Sequence, residues 1–213
     1  MSIRTILFDL DGTLIDTNEL IIQSFLHTFN HYGYSFTKED ILSFNGPPLE
    51  ETFEKIAPGR SADLIATYRA HNFAHHEQYV KPFPHVVDVL HTLKEAGFAL
   101  GIVTTKMRQG VDLGLEVTGL KDMFNTIVTL DDVTQPKPHP EPVLKAMTEL
   151  GGDPATTIMI GDNYHDIEAG HRAHVLTAGV AWTGKGEATL HSYEPTYMLQ
   201  SMTDLLSIVG INK

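Results

Sequence analysis

Apolar residues follow two periodicities along this chain, and the places where one gives way to the other mark its elements. Five short runs are apolar almost throughout: Thr5–Phe8 (extending back to Ile3), Ala99–Val103, Thr126–Thr129, Thr157–Ile160 and Thr177–Val180. Short runs without polar alternation predict strands buried on both faces, as in a parallel sheet. Between the later runs the spacing changes to three and four. Val86, Val89, Leu90 and Leu93 fit one helix face, and Gly97 stands where that helix should end; Val143, Leu144, Met147 and Leu150 repeat the design before Gly151. Strands that alternate with helices in this way imply right-handed βαβ crossovers.

The first two strands are separated by about ninety residues, far more than a crossover helix needs. The excess is helical in pattern. Asn18 to Tyr32 carries Ile21, Ile22, Phe25, Leu26 and Phe29 on one side, while Thr37 with Asp40, and Ser61 before Leu64, Ile65 and Tyr68, resemble helix starts. The segment VKPFPHV, with prolines 82 and 84, predicts the hinge of return. The expected architecture is a doubly wound, mainly parallel α/β sheet built from residues 1–14 and 80–213. An α-helical cap over residues 15–79 is inserted into it.

Composition narrows the function. Of 213 residues 42% are apolar, enough for a sizeable core. A formal net charge of −12 argues against a polyanionic partner such as nucleic acid, although a small phosphate compound could still bind where a metal and a few lysines reverse the field. The absence of cysteine removes any disulfide framework. With no basic or apolar leader and no run long enough to span a bilayer, the expectation is a cytoplasmic enzyme rather than a membrane protein.

The candidate chemistry lies at the carboxyl ends of the predicted strands, where doubly wound sheets bind their ligands. Asp9 and Asp11, two apart after the first strand, converge on one face before Gly12 turns the chain. Two carboxylates so close call for a cation beside them, which suits Mg²⁺ with one oxygen left free to attack phosphorus. Thr104 and Thr105 follow the second strand and offer a hydroxyl and a backbone N–H near a helix start. Lys137 sits in the proline-stiffened loop QPKPHP, and Asp162 follows the run IMIG with Asp166 four residues on. Together they make a phosphoryl-transfer set. Plainer readings are a solvated Asp-Gly turn for the first pair, a helix cap for Thr105 and a helix N-terminal acid for Asp166. Twelve histidines raise the question of zinc. His71 and His75 are four apart on a presumed helix, but no Glu completes a metalloprotease motif, so a cap-surface or partly buried pair is expected.

DLDGT, Thr104, Lys137 within KPHP and GDNYHD come in the order of the four motifs of the haloacid dehalogenase superfamily, and the chain resembles that family over essentially its whole length. The resemblance implies a Rossmann-like core with a helical cap. It implies that Asp9 is the nucleophile forming an aspartyl-phosphate, and that Asp11 protonates the leaving group and then activates water. Thr104 and Lys137 would hold phosphoryl oxygens. Mg²⁺ would be held by Asp9, the Asp11 backbone carbonyl and Asp162, with Asp166 nearby, acting through water or supporting the ligands. The stretches NELIIQSFLHT, LGIVTTK, VTLDDVT, KPHPEPVL and AGVAWTGKG further resemble pyrophosphate-hydrolysing members of the family. That likeness implies inorganic pyrophosphate as substrate, released when the serine-phosphorylated carrier protein HPr is dephosphorylated by phosphorolysis. Phosphoglycolate phosphatase, phosphosugar mutase and a non-catalytic phosphate-binding domain remain alternatives. The loop containing Gly46 is the candidate cap element touching substrate, because glycine permits close backbone approach. Lys106 and Lys185 are candidates for meeting a second phosphoryl group.

Overall fold

The computed structural model describes residues 2–42, 44, 47–182 and 187–211. The chain starts with β1 (Thr5–Phe8) and the short β2 (Ile15–Asp16), then runs through α1 (Asn18–His31), α2 (Lys38–Leu42), α3 (Leu49–Ile56), α4 (Ser61–Ala74) and α5 (His76–Tyr79) before returning through β3 (Lys81–Pro82). Helices and strands then alternate: α6 (Val86–Glu95), β4 (Ala99–Val103), α7 (Arg108–Thr118), β5 (Thr126–Val128), α8 (Glu141–Glu149), β6 (Thr157–Gly161), α9 (Tyr164–Arg172), β7 (Leu176–Val180), α10 (Glu187–His191), β8 (Tyr197–Leu199) and α11 (Asp204–Ile208). No helix among the described residues is long and apolar enough to cross a membrane.

A six-stranded sheet has the order β5-β4-β1-β6-β7-β8, and every pairing in it is parallel. Leu7 of β1 stands between Gly101 of β4 and Met159 of β6. Alternation across the pleat sends Ile6, Phe8, Ile102 and Ile160 into one apolar layer, and Leu7, Val103 and Met159 into the other. Both faces are covered by helices, which is why these strands read as unbroken apolar runs. The apolar pattern does not predict β8: three residues at a sheet edge, only Leu199 fully buried, carry too little periodicity to stand out.

The inserted helices pack on a cluster of their own that includes Phe25, Phe29, Ile41, Phe53, Leu64 and Tyr68. The Phe25 ring centroid lies 5.7 Å from that of Phe29 and 5.4 Å from that of Phe53. Each fully buried phenylalanine contributes roughly 1.5–3 kcal/mol relative to exposure, so aromatic burial rather than sheet pairing holds this layer together. The two connections to the core are paired to each other. β2 and β3 form an antiparallel ribbon with Ile15 opposite Pro82 and Asp16 opposite Lys81. Thr37 accepts the Asp40 N–H and donates its hydroxyl to the Asp40 carboxylate, as its sequence predicts; Ser61 is the first residue of α4 rather than the residue before it.

From β1 the chain passes to β4 on one side and later crosses back to β6 on the other. The carboxyl ends of β1, β4 and β6 therefore border the crevice where strand order reverses.

Candidate active site

Two segments at this crevice bring together acids that are far apart in the chain. Asp9 follows β1, and its backbone N–H donates to the Ile160 carbonyl at 2.8 Å, which fixes it against β6. Asp162 and Asp166 come from the β6–α9 junction. Ligand oxygens of Asp9, Asp162 and Asp166, all buried, lie within 4.8 Å of one another. Two glycines make this packing possible. Gly12, at φ +84°, leaves room for the Asp162 carboxylate, which any Cβ there would overlap; a Cβ on Gly161 would likewise overlap the Asp166 side chain.

Lys137 enters the cluster from the β5–α8 loop, its peptide bond to Pro138 being cis. The buried ammonium donates to Oδ1 of Asp9 at 2.8 Å, Oδ1 of Asp166 at 2.6 Å and the Val103 carbonyl at 2.7 Å. All three of its N–H groups are thus used. Burial opposes the charge, but Asp166 and Asp9 outweigh it and hold this lysine above the ordinary range. For Asp9 the balance runs the other way. Burial, reinforced by Asp166 and Asp162 and opposed by Lys137, pushes its carboxyl up to about 7. Asp166 also closes the start of α9. Its Oδ2 accepts the Asn163 N–H at 2.9 Å while Asn163 Oδ1 accepts from the His165 N–H at 3.2 Å, a reciprocal cap. Both Asp166 oxygens are thus engaged, which suits a brace for Lys137 more than a direct metal ligand.

Asp11 lies apart from the trio. Its Oδ1 accepts from the Lys106 ammonium at 2.9 Å. The main chain at Lys106 donates to Thr104 Oγ1 at 3.2 Å, a tight turn that delays α7 until Arg108. Thr104 and Thr105 therefore border the cavity from a turn that precedes the helix, and Met107 rather than Thr105 directly precedes α7.

A cavity of about 250 Å³ joins this cluster to the inserted helices. The core side comprises Asp9, Asp11, Thr104, Thr105, Lys106, Lys137, Asp162, Asn163, His165 and Asp166. Opposite, α4 presents Ile65, Tyr68, Arg69, Asn72 and Phe73, the spacing of one helix face. Pro47 and Pro48 also reach the cavity, in keeping with the loop proposed from sequence; Gly46 and Lys185 lie outside the described residues. Tyr68 is held neutral, its hydroxyl pushed upward first by burial and then by Asp11. Sequence reasoning missed the polar members of the α4 face. Their only signal was the spacing of 65, 68, 69, 72 and 73, which a core-facing stripe shares.

The His71–His75 pair has a packing role. His71 and His75 stack with centroids 4.2 Å apart, and neither belongs to a metal-holding group among the described residues. His139 Nδ1 accepts the Glu141 N–H at 3.2 Å, and Trp182 packs on the core beside Phe83.

Comparison with known proteins agrees with this geometry. Residues 6–180 match the family model described as haloacid dehalogenase-like hydrolase. The chain is 57% identical, over 99% of its own length and 99% of the relative's, to a protein of Anoxybacillus flavithermus named pyrophosphatase PpaX. Among solved structures, a haloacid dehalogenase-like hydrolase of Streptococcus pneumoniae superposes with a TM-score of 0.86 at 27% identity, covering 96% of this chain and 97% of that one. A Lactobacillus plantarum protein described as a phosphoglycolate phosphatase superposes at 0.89 with 22% identity, covering 98% and 100%; at that identity the likeness concerns fold alone.

Proposed function

The chain belongs to the haloacid dehalogenase-like hydrolases and is a phosphohydrolase of that type, and from this premise we propose that it hydrolyses inorganic pyrophosphate to two phosphates with Mg²⁺. The observation that carries the reading is the Asp9–Lys137–Asp166 ion-pair cluster, with Asp162 beside it, at the floor of a cavity roofed by cap residues. Likeness to a pyrophosphatase runs through the cap as well as the core, which supports pyrophosphate over other small phosphates.

The donor set suits a hard divalent cation. Lys137 pairs with two of the three buried carboxylates, Asp9 and Asp166, and burial, with Asp166 and Asp162, drives Asp9 toward its neutral form, so a further positive charge is needed to keep it ionised. Asp9 and Asp162, with the Asp11 backbone carbonyl, would hold Mg²⁺, and Asp166 would support them. When bound, the ion supplies charge neutralisation at the phosphoryl oxygens.

The chain's own groups then divide the chemistry. An Asp9 carboxylate oxygen attacks phosphorus and the bridging P–O bond breaks, with its electron pair going to the departing phosphate, which takes a proton from Asp11. Asp11 next removes a proton from water, which attacks the aspartyl-phosphate and frees Asp9. Thr104 holds a transferring oxygen, Lys137, its three N–H groups engaged by Asp9, Asp166 and the Val103 carbonyl, offsets the shifting charge from beside Asp9, and Thr105 lines their side of the cavity. Lys106, which borders the same cavity, holds the Asp11 carboxylate in place through its 2.9 Å ion pair. Residues 15–79 would move as the cap, with the β2–β3 ribbon as its joint, closing to exclude water; Gly46, in the loop bearing Pro47 and Pro48, would approach the substrate.

A panel of pyrophosphate, phosphoglycolate and sugar phosphates at matched concentration, with Mg²⁺ and then with chelator, tests the proposal. The expected outcome is highest kcat/KM for pyrophosphate, with stoichiometric phosphate release and loss of turnover in chelator. Higher kcat/KM for phosphoglycolate would overturn the substrate assignment, and full activity in chelator would overturn the metal assignment.

A further inference from the structure

We infer that Arg69, on the cavity face of α4, is the residue that receives the leaving phosphate and so selects substrates whose departing group is itself an anion. The inference rests on the pyrophosphatase reading above and assigns its second phosphoryl subsite. Among the described residues, the lysine and arginine side chains bordering the cavity are Lys106, Lys137 and Arg69. Lys137 has no donor to spare: Asp9, Asp166 and the Val103 carbonyl take all three. Lys106 is drawn to Asp11 at 2.9 Å. The Arg69 side chain has neither a hydrogen bond nor an ion pair with any described residue, although it stands half-buried in a cavity bordered by Asp9, Asp11, Glu50, Asp162 and Asp166.

An unpaired guanidinium across from that much negative charge is suited to an incoming anion. Its planar fork matches two oxygens of a phosphate, which a lysine ammonium cannot do as specifically. Its position also fits the reaction. The transferring phosphoryl group is gripped from the core, so the departing one lies toward the cap, where α4 presents Arg69 between Tyr68 and Asn72. A leaving phosphate placed among these acids without a matching cation would meet only repulsion. Because Arg69 belongs to the inserted helices, engaging it also ties cap closure to the presence of an anionic leaving group, whereas a neutral alcohol would leave it unengaged.

The test compares wild type, Arg69→Ala and Arg69→Lys on pyrophosphate and on nitrophenyl phosphate, whose leaving group carries no phosphate. In addition, methylenediphosphonate and orthophosphate are measured as inhibitors of nitrophenyl phosphate turnover. Arg69→Ala is expected to lower kcat/KM for pyrophosphate by roughly tenfold to a hundredfold while nitrophenyl phosphate stays within about threefold. Inhibition by methylenediphosphonate should weaken by about the same factor as pyrophosphate turnover, inhibition by orthophosphate little, and Arg69→Lys should recover part of the loss. Equal losses on both substrates, or unchanged inhibition by methylenediphosphonate, would overturn the inference. The inhibition arm reads the second phosphoryl subsite whether or not pyrophosphate is the best substrate. A wild type that favours phosphoglycolate therefore refutes the substrate assignment and leaves Arg69 to be judged by inhibition.

Discussion

Lys106 Nζ lies 2.9 Å from Oδ1 of Asp11, a residue 95 positions away, and this pair joins the turn after β4 to the loop after β1. Each side chain is 19% exposed, at the cavity wall rather than beneath it. The contact gives Lys106 a partner that sequence could not supply, since Lys106 was a candidate for meeting a second phosphoryl group. Lys106→Ala should therefore lower kcat/KM by about tenfold on pyrophosphate and on nitrophenyl phosphate alike, because Asp11 serves both reactions. Parallel kinetics on the two substrates check this. A loss confined to pyrophosphate would return Lys106 to the leaving group.

Asp9→Asn should reduce turnover by at least about a thousandfold while the chain still folds, since an amide of similar shape cannot form an acyl-phosphate. Lys137 keeps Asp166 and the Val103 carbonyl as partners in that variant, so its charge is not stranded. Phosphate release and a thermal melt on the same preparation check both halves, and turnover within about tenfold of wild type would exclude Asp9 as nucleophile.

The raised carboxyl of Asp9 makes stability depend on pH in a definite sense. Burial, helped by Asp166 and Asp162 against Lys137, lifts it to about 7 from an ordinary value of 3.8. The folded chain then holds this proton more tightly than the unfolded chain. Its contribution is fully present below the unfolded value and is lost as pH rises through about 7. In chelator, stability should fall between these limits by at most about 1.4 kcal/mol per pH unit on this account. Asp9→Asn should flatten that part of the curve, and added Mg²⁺ should restore the wild type. Denaturant titrations across the range check this, and identical slopes for the two proteins would remove the assignment.

His76 acts in the opposite direction. It is buried where α5 meets α7, neither ring nitrogen reaches hydrogen-bond geometry, and burial, then Lys106, lower it to about 4, with Asp11 and the nearby Asn72 carbonyl opposing weakly. A folded value below the unfolded 6.5 means its contribution is intact above 6.5 and lost as pH falls through about 4. His76→Phe, which has nothing to protonate, should retain more stability at pH 5 relative to pH 7 than wild type does, as paired denaturation curves would reveal.

Gly12→Ala should weaken metal binding more than folding. Positive φ costs an alanine about 1–2 kcal/mol, and its methyl group would displace the Asp162 carboxylate. The Mg²⁺ concentration giving half-maximal activity should rise by about tenfold or more. An unchanged Mg²⁺ requirement would show that Asp162 does not need this approach.

What the sequence determined by itself was whatever depends on near neighbours. β1 and β4 were legible because burial on both faces demands unbroken apolar runs, and the α1 and α6 faces because helical periodicity repeats within a few turns. Asp9 and Asp11 were legible for the same local reason, being two apart at a strand end. The β2–β3 ribbon was not: each strand has only two residues, and Pro82 argues against a strand until its partner is known. Lys137 could be placed in a stiff loop, but its three acceptors come from β1, β4 and the start of α9. Arg69 stands out in the sequence by no pattern of its own, and only the packing of α4 brings it to the cavity that the acids border. Parallel crossovers bring together strand ends separated by tens of residues, and charges act through space at ångström distances, so the partners of these ions were decided by tertiary structure.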